Sequence, residues 1–242
     1  MNEILQSHIP YDTSPRALPG IQPLEMADWL IVDDAYAGQM ARRMALMAQD
    51  AAAVCAMDAG AKPAAQELLE MVLAQLSARH DFTVTATTVH CPDGRVVGVD
   101  ANCPLETLNQ LVQEDFCILD KQLDEHVLVA ALLCFPASWL LSEKFMRPLS
   151  AIHDPVQAYD SNIAARVQRL FDGVRPGRPL WRFNALWYAD PDLHQPRSMH
   201  SQRPDHGATQ GRYFRSERQS VLRLPQTGSV VFSIHTFVTL GG

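Results

Sequence analysis

The repeat of apolar and polar positions changes period several times along the chain, and each change marks an element. From Asp34 to Asp58, DAYAGQMARRMALMAQDAAAVCAMD is rich in alanine and methionine with a basic pair on one side. That composition predicts a helix across the whole stretch. A second helix is predicted over Lys62–His80, where proline stands near the start and apolar residues recur at helical spacing. The period then drops to two in DFTVTATTVHC, with PDGR as a turn and VVGVD as the returning strand.

Pro104–Gln122 is expected to be a further helix, ending at an acidic step. HVLVAALLCFPASW reads as a buried strand closed by Pro136 and Trp139. Ser161–Val174 is an amphipathic helix with Ser161 as its cap. LWRFNALWY is a strand, and YFRSERQSVLRLPQTGSVVFSIHTFVTL is a hairpin turning at PQTG. Four prolines punctuate residues 1–28, which predicts an extended arm lying on the domain. The expected class is α+β: helices first, then an antiparallel sheet with helices interleaved, and no internal repeat.

Between the last helix and the hairpin lies a polar loop, residues 189–211, holding His194, His200 and His206. Loops this long are often functional. The three histidines are six residues apart and no cysteine joins them, so the loop reads as solvated and not as a zinc site. His80 and His90 read as surface residues.

Composition narrows the classes. The 242 residues suffice for one large domain or two small ones, and 47% hydrophobic with 19% charged content is ordinary for a soluble protein. A net charge of −7 gives no basic footprint for nucleic acid. The five cysteines are odd in number and none forms CxxC, which argues against a zinc ribbon or a disulfide framework and fits a reducing cytoplasm. The start MNEILQSHIPYD lacks the features of a signal peptide. The longest apolar run, Val127–Phe135, is too short to span a bilayer. The expected location is the cytoplasm, without membrane or nucleic-acid partners.

The familiar catalytic signatures are absent: no phosphate-binding GxxxxGK, no GxGxxG after a strand, no HExxH and no GxSxG. Glu114 and Asp115, on the expected helix, would point about 100° apart, so they cannot serve one site, and one is expected to cap or to pair with an arginine. In RSERQSVLRLP, strand alternation puts Arg215, Glu217 and Gln219 on one face and Ser216, Arg218 and Ser220 on the other. These polar side chains form either a structural ion-pair ladder or a pocket lining, and spacing leaves both open. In AIHDPV, His153 stands between an apolar stem and a turn braced by Pro155. Ligand, general base and plain core histidine all remain open for it.

Several segments, in order, resemble one family: PLEMADWLIVDDAY, EDFCIL, CFPASW, AIHDPV, ERQSVLRLP and VVFSIHTF, spanning about Pro23 to Phe237. They are similar to the heme-dependent oxidative N-demethylase-like family, whose members resemble dimethylamine monooxygenase catalytic subunits. The resemblance implies a PAS-like antiparallel sheet enclosing heme b, with residues 1–28 as an arm and 29–242 as one heme-binding domain. It implies oxidative N-demethylation of a small secondary or tertiary amine with O2. The electrons would come from a separate reductase carrying flavin and an iron–sulfur centre and fed by NAD(P)H.

On that resemblance, His153 is the expected proximal iron ligand and His235 in FSIHTF the fallback. Glu217 is the expected partner of the substrate ammonium, and Arg182, Arg215 and Arg218 are expected at the heme propionates. Trp139, Phe135 and Phe232 would stack on the porphyrin or serve as core. The chain departs from the family pattern RxNW, keeping Arg182 and Asn184 but carrying Ala185 in place of the tryptophan, so a different pocket shape or substrate is expected. Relatives also continue beyond the final strand. A non-catalytic PAS-like heme sensor and a heme-free binding module are the competing readings.

Overall fold

A computed structural model describes residues 3–14, 20–153, 161–198, 201 and 211–241, with the side chains of residues 153 and 161–165 outside that set. The chain enters through β1 (Gln22–Pro23) and a 3-10 turn at Met26–Asp28, then runs through α1 (Tyr36–Gln49), α2 (Ala51–Val54), β2 (Cys55–Met57) and α3 (Lys62–Ser77). There follow β3 (Thr83–Val84), β4 (Thr88–His90), β5 (Val96–Gly98), α4 (Pro104–Leu111), β6 (Asp115–Gln122) and β7 (Glu125–Leu132). Three helices come next, α5 (Leu141–Lys144), α6 (Leu149–His153) and α7 (Ser161–Gly173), before β8 (Leu180–Tyr188), β9 (Tyr213–Arg223) and β10 (Val230–Leu240).

Among the described residues, seven strands form one antiparallel sheet in the order β1-β8-β9-β10-β6-β7-β2, and β3-β4-β5 form a small second sheet. The architecture is α+β, as the periodicity predicts. The long β9–β10 hairpin is its spine, paired from Tyr213↔Leu240 to Arg223↔Val230. Its turn needs Gly228, whose φ of 76° is a left-handed conformation that only glycine adopts without strain.

Two expected helices are cut short. The stretch from Asp34 to Asp58 is not one helix, because Asp50 leaves the helical region and its carboxylate caps a new short helix by accepting from Ala53 N–H. Cys55–Met57 then joins the sheet edge against β7, Cys55 opposite Leu132. Alanine propensity is a weak prior, and an unpaired sheet edge outweighs it. Pro104–Gln122 likewise divides into α4 and β6, since Val112 is already extended. The apolar run Phe116–Leu119 is buried on both faces. Such a run carries no period that separates strand from helix.

The sheet has a separate apolar core on each face. On the first face, Phe116, Ile118, Leu132, Leu222 and Val231 meet Met40, Leu68 and Leu108 of α1, α3 and α4. On the second face, Cys117, Leu119, Ala131, Val221 and Ile234 meet Leu141, Leu149 and Phe171 of α5, α6 and α7. At about 25 cal/mol per Å² of apolar area removed from water, these two layers supply the main drive to fold. The described N-terminal residues lie against the first face. Gln6 pairs with the backbone of Val238, and the Tyr11 ring contacts Trp181, Phe183 and Phe237.

Candidate functional site

Register divides the polar residues of the β8–β9–β10 region between the two faces. Asn184, Glu217 and Thr236 stand in one cross-strand row; the neighbouring rows hold Arg182, Gln219 and Ile234, and Leu186, Arg215 and Val238. Side chains directly opposite share a face, and alternate residues along a strand return to it. Ile234 belongs to the core under α5–α7, so strand alternation puts these rows on the second face, although Val238 at the end of the third row packs into the other cluster. The intervening rows, with Arg218 opposite His235 and Ser220 opposite Ser233, lie on the first.

On the second face, Glu217 is 8% exposed. Its Oε2 accepts from Asn184 Nδ2 at 3.2 Å and Gln219 Nε2 at 3.3 Å, while Oε1 lies 3.4 Å from Arg215 Nη2. Arg215, buried, also donates to the carbonyls of Leu193 and Phe135 and lies over the Tyr188 ring. It is therefore clamped, though its Nε has no partner. Arg182 differs. Its buried Nε is unpartnered, no described carboxylate pairs with it, and burial alone pulls its pKa down. Thr236 Oγ1, in the same row as Glu217, is also buried and unpartnered. Unsatisfied polar atoms are uncommon in folded interiors and call for an explanation; three of them share this face.

His153 ends α6. Leu149 and Ile152 of that helix pack into the second-face core, so the helix end and the Arg182–Glu217 rows lie on one side of the sheet. The His153 ring and the turn at Pro155 lie outside the described residues. Trp139 and Phe232 border the same core. Phe135 is buried in the other cluster, beneath the Arg43 guanidinium, so core packing accounts for it.

On the first face the His235 ring is fully engaged, although Glu114 Oε2 and Arg43 Nε and Nη2 are themselves buried without a partner among the described residues. His235 is 2% exposed, with Nδ1 3.0 Å from Glu114 Oε1 and Nε2 3.0 Å from Asp33 Oδ2. Burial disfavours the charged ring, yet the two carboxylates more than reverse that and hold its pKa at about 9. Asp33 is likewise pulled down to about 2, its burial overcome by hydrogen bonds from His235, Gln113 and Gln6. An imidazolium with both nitrogens engaged has no lone pair for iron, so the fallback ligand is a structural ion pair. Arg218, expected beside the other arginines, also lies here. It donates to Asp28 O at 2.7 Å, stacks on Trp181 and lines a surface cleft of about 530 Å³ with Tyr11.

Asp115 resolves the acidic pair. On a strand, it accepts from Cys134 N–H and Phe135 N–H and binds Arg43 at 2.7 Å, while Glu114 turns to His235. One of the two pairs with an arginine, as expected, although the element is a strand. The polar loop is less solvated than predicted at its start: His194 Nδ1 lies 2.8 Å from Cys134 O and Asp192 pairs with Arg42. His200 and His206 lie outside the described residues, and His80 and His90 are exposed as expected.

Sequence reading missed His126. It is buried on β7 with Nδ1 at Gln168 and Nε2 unpartnered, and it carries no motif. Among the described residues, no group of three or more histidines, cysteines and acids is placed to hold a metal ion, and no helix is long and apolar enough to cross a membrane.

The family model for haem-dependent oxidative N-demethylase, alpha subunit-like, matches residues 20–240. That match covers nearly the whole chain and includes β1 to β10, and the chain belongs to this family.

Proposed function

We propose that this chain is a heme b-dependent monooxygenase that removes a methyl group from a small secondary or tertiary amine. The observation that carries this reading is Arg182: a half-buried guanidinium with no counter-ion among the described residues, on the face where α6 ends in His153. An unpaired cation in a low-dielectric setting is costly, so the site favours an anionic ligand. A heme propionate suits that need, because arginine binds carboxylates in two-point geometry. The second-face sheet, in a PAS-like arrangement with residues 29–242 as one domain, would be the floor of the site.

Bound there, the heme would supply oxygen activation, with the iron held by His153. The remaining roles fall to the chain. Arg182 neutralises a propionate. Arg215 is locked by two carbonyls and fixes Glu217. Asn184 and Gln219 donate to Glu217 Oε2 and orient it. The Glu217 carboxylate then holds the ammonium of the substrate, since a buried ammonium needs an anionic partner. In balance, the amine, O2, two electrons and two protons give the demethylated amine, formaldehyde and water. The electrons derive from NAD(P)H through a separate reductase carrying flavin and an iron–sulfur centre.

The test is formaldehyde release from dimethylamine by the heme-loaded chain with a surrogate reductase. Stoichiometric formaldehyde supports the reading. Bound heme without formaldehyde from any small methylamine would instead leave a heme sensor, and protein that takes up no heme would leave a heme-free module.

A further inference from the structure

We propose that Lys144 is a positioning residue for His153; the inference rests on the axial role proposed above. Lys144 is the last residue of α5 and Nζ donates to the carbonyl of Ile152 at 2.5 Å. Ile152 directly precedes His153 at the end of α6. The last carbonyls of a helix have no intrahelical donor, and a lysine ammonium is a favoured partner there by hydrogen bonding and by charge. This lysine is not a loose surface residue. Its ammonium lies over the Trp139 ring at 5.4 Å, and burial pulls its pKa down.

The link between the two helices is itself constrained. Met146 has φ of 59°, a left-handed conformation that non-glycine residues rarely adopt. On either side of it the backbone is pinned: Met146 N–H bonds Leu128 O, Arg147 N–H bonds Lys144 O, and Leu128 N–H bonds Arg147 O. Backbone in such regions persists only when its surroundings determine it, and it concentrates at functional sites. The α5–α6 turn is thus fastened to β7 at one end and clamped by Lys144 at the other. A five-residue helix has little stability alone, so the clamp sets where its final residue stands.

The experiment uses the full chain loaded with heme, comparing wild type with Lys144→Met, Lys144→Arg and His153→Ala. Three readouts apply: the ferric absorption and electron paramagnetic resonance spectra, the rate of heme loss to a heme-scavenging apoprotein, and hydrogen exchange at residues 149–153 without heme. Methionine keeps the stem on Trp139 but removes the donor. Lys144→Met is expected to change the ferric spectrum, speed heme loss roughly tenfold, as for loss of one charge-assisted hydrogen bond, and raise exchange in α6. Lys144→Arg is expected to restore all three.

Wild-type spectra and heme loss in Lys144→Met, with heme lost from His153→Ala, would overturn the positioning role and leave the ligand assignment intact. A native spectrum in His153→Ala would overturn both. Should Lys144→Met not fold, Lys144→Gln against Lys144→Arg decides by the same readouts: equal spectra and rates would overturn the proposal, and a defect in the glutamine variant alone would support it.

Discussion

The two faces of one sheet carry nearly the same kinds of polar residue and use them differently. On the first face, His235 is held between Asp33 and Glu114, with no ring nitrogen left over. On the second, among the described residues, Arg182 Nε and Thr236 Oγ1 have no partner and no carboxylate pairs with Arg182. Buried charge that is paired within the chain is architecture. A guanidinium with no carboxylate beside it, unlike Arg43 with Asp115, favours an anionic ligand. The contrast also separates Arg215 from Arg218, three residues apart in sequence and on opposite sides of the sheet.

The largest effect tests the paired class. Asp115→Ala strips the fully buried Arg43 of its carboxylate and leaves Cys134 N–H and Phe135 N–H unmet. Urea denaturation is expected to show a loss of about 3–5 kcal/mol, typical of breaking a buried pair. A loss under 1 kcal/mol would show that this cluster does not behave as architecture.

Next is the His235 ion pair. Its pKa is about 9 folded, against about 6.5 unfolded. Its contribution is full below pH ~6.5 and lost as pH rises through about 9. Asp33 works in the opposite sense, since its depressed pKa contributes above the unfolded value and is lost as pH falls through about 2. Wild-type stability is therefore expected to decline from pH 6.5 to 9 by on the order of 2–3 kcal/mol, and His235→Gln to flatten that decline. Parallel curves for the two proteins would contradict the paired imidazolium.

Smaller effects address the second face. Glu217→Gln keeps the shape and one acceptor oxygen but removes the charge; KM for the amine is expected to rise roughly tenfold or more with heme content unchanged, in line with a charged hydrogen bond of about 1.5–3 kcal/mol. Unaltered kinetics would remove Glu217 from substrate binding. Arg182→Met is expected to leave the stability of the heme-free chain within about 0.5 kcal/mol or raise it, since no partner is lost. The same change should weaken heme binding. A clear destabilisation without heme would mean that Arg182 is architecture after all.

Much of this layout was legible in the residues. Alternation in RSERQSVLRLP separated Arg215, Glu217 and Gln219 from Arg218, and register confirms that division. Arg218, expected at the propionates with Arg182 and Arg215, falls on the other side of that division. The break at Asp50 was harder to see, because it depends on an edge of β7 that the local sequence does not contain. The strand in EDFCIL was hidden for a related reason: burial on both faces erases the period. His235 read as an available imidazole because its carboxylate partners, Asp33 and Glu114, are 202 and 121 residues away in sequence. His126 finds its partner Gln168 42 residues away, and Lys144 reaches Ile152 across a turn that no motif marks.

The central claim is that the second face, with α6 above it, holds an iron porphyrin through His153. Its most direct test is the absorption spectrum of the chain purified from heme-replete cells, before and after dithionite, for wild type and His153→Ala. The account predicts a Soret band that shifts on reduction in the wild type and is lost or strongly weakened in the variant. A colourless wild-type protein, or a variant whose band matches the wild type in position and intensity, would contradict it.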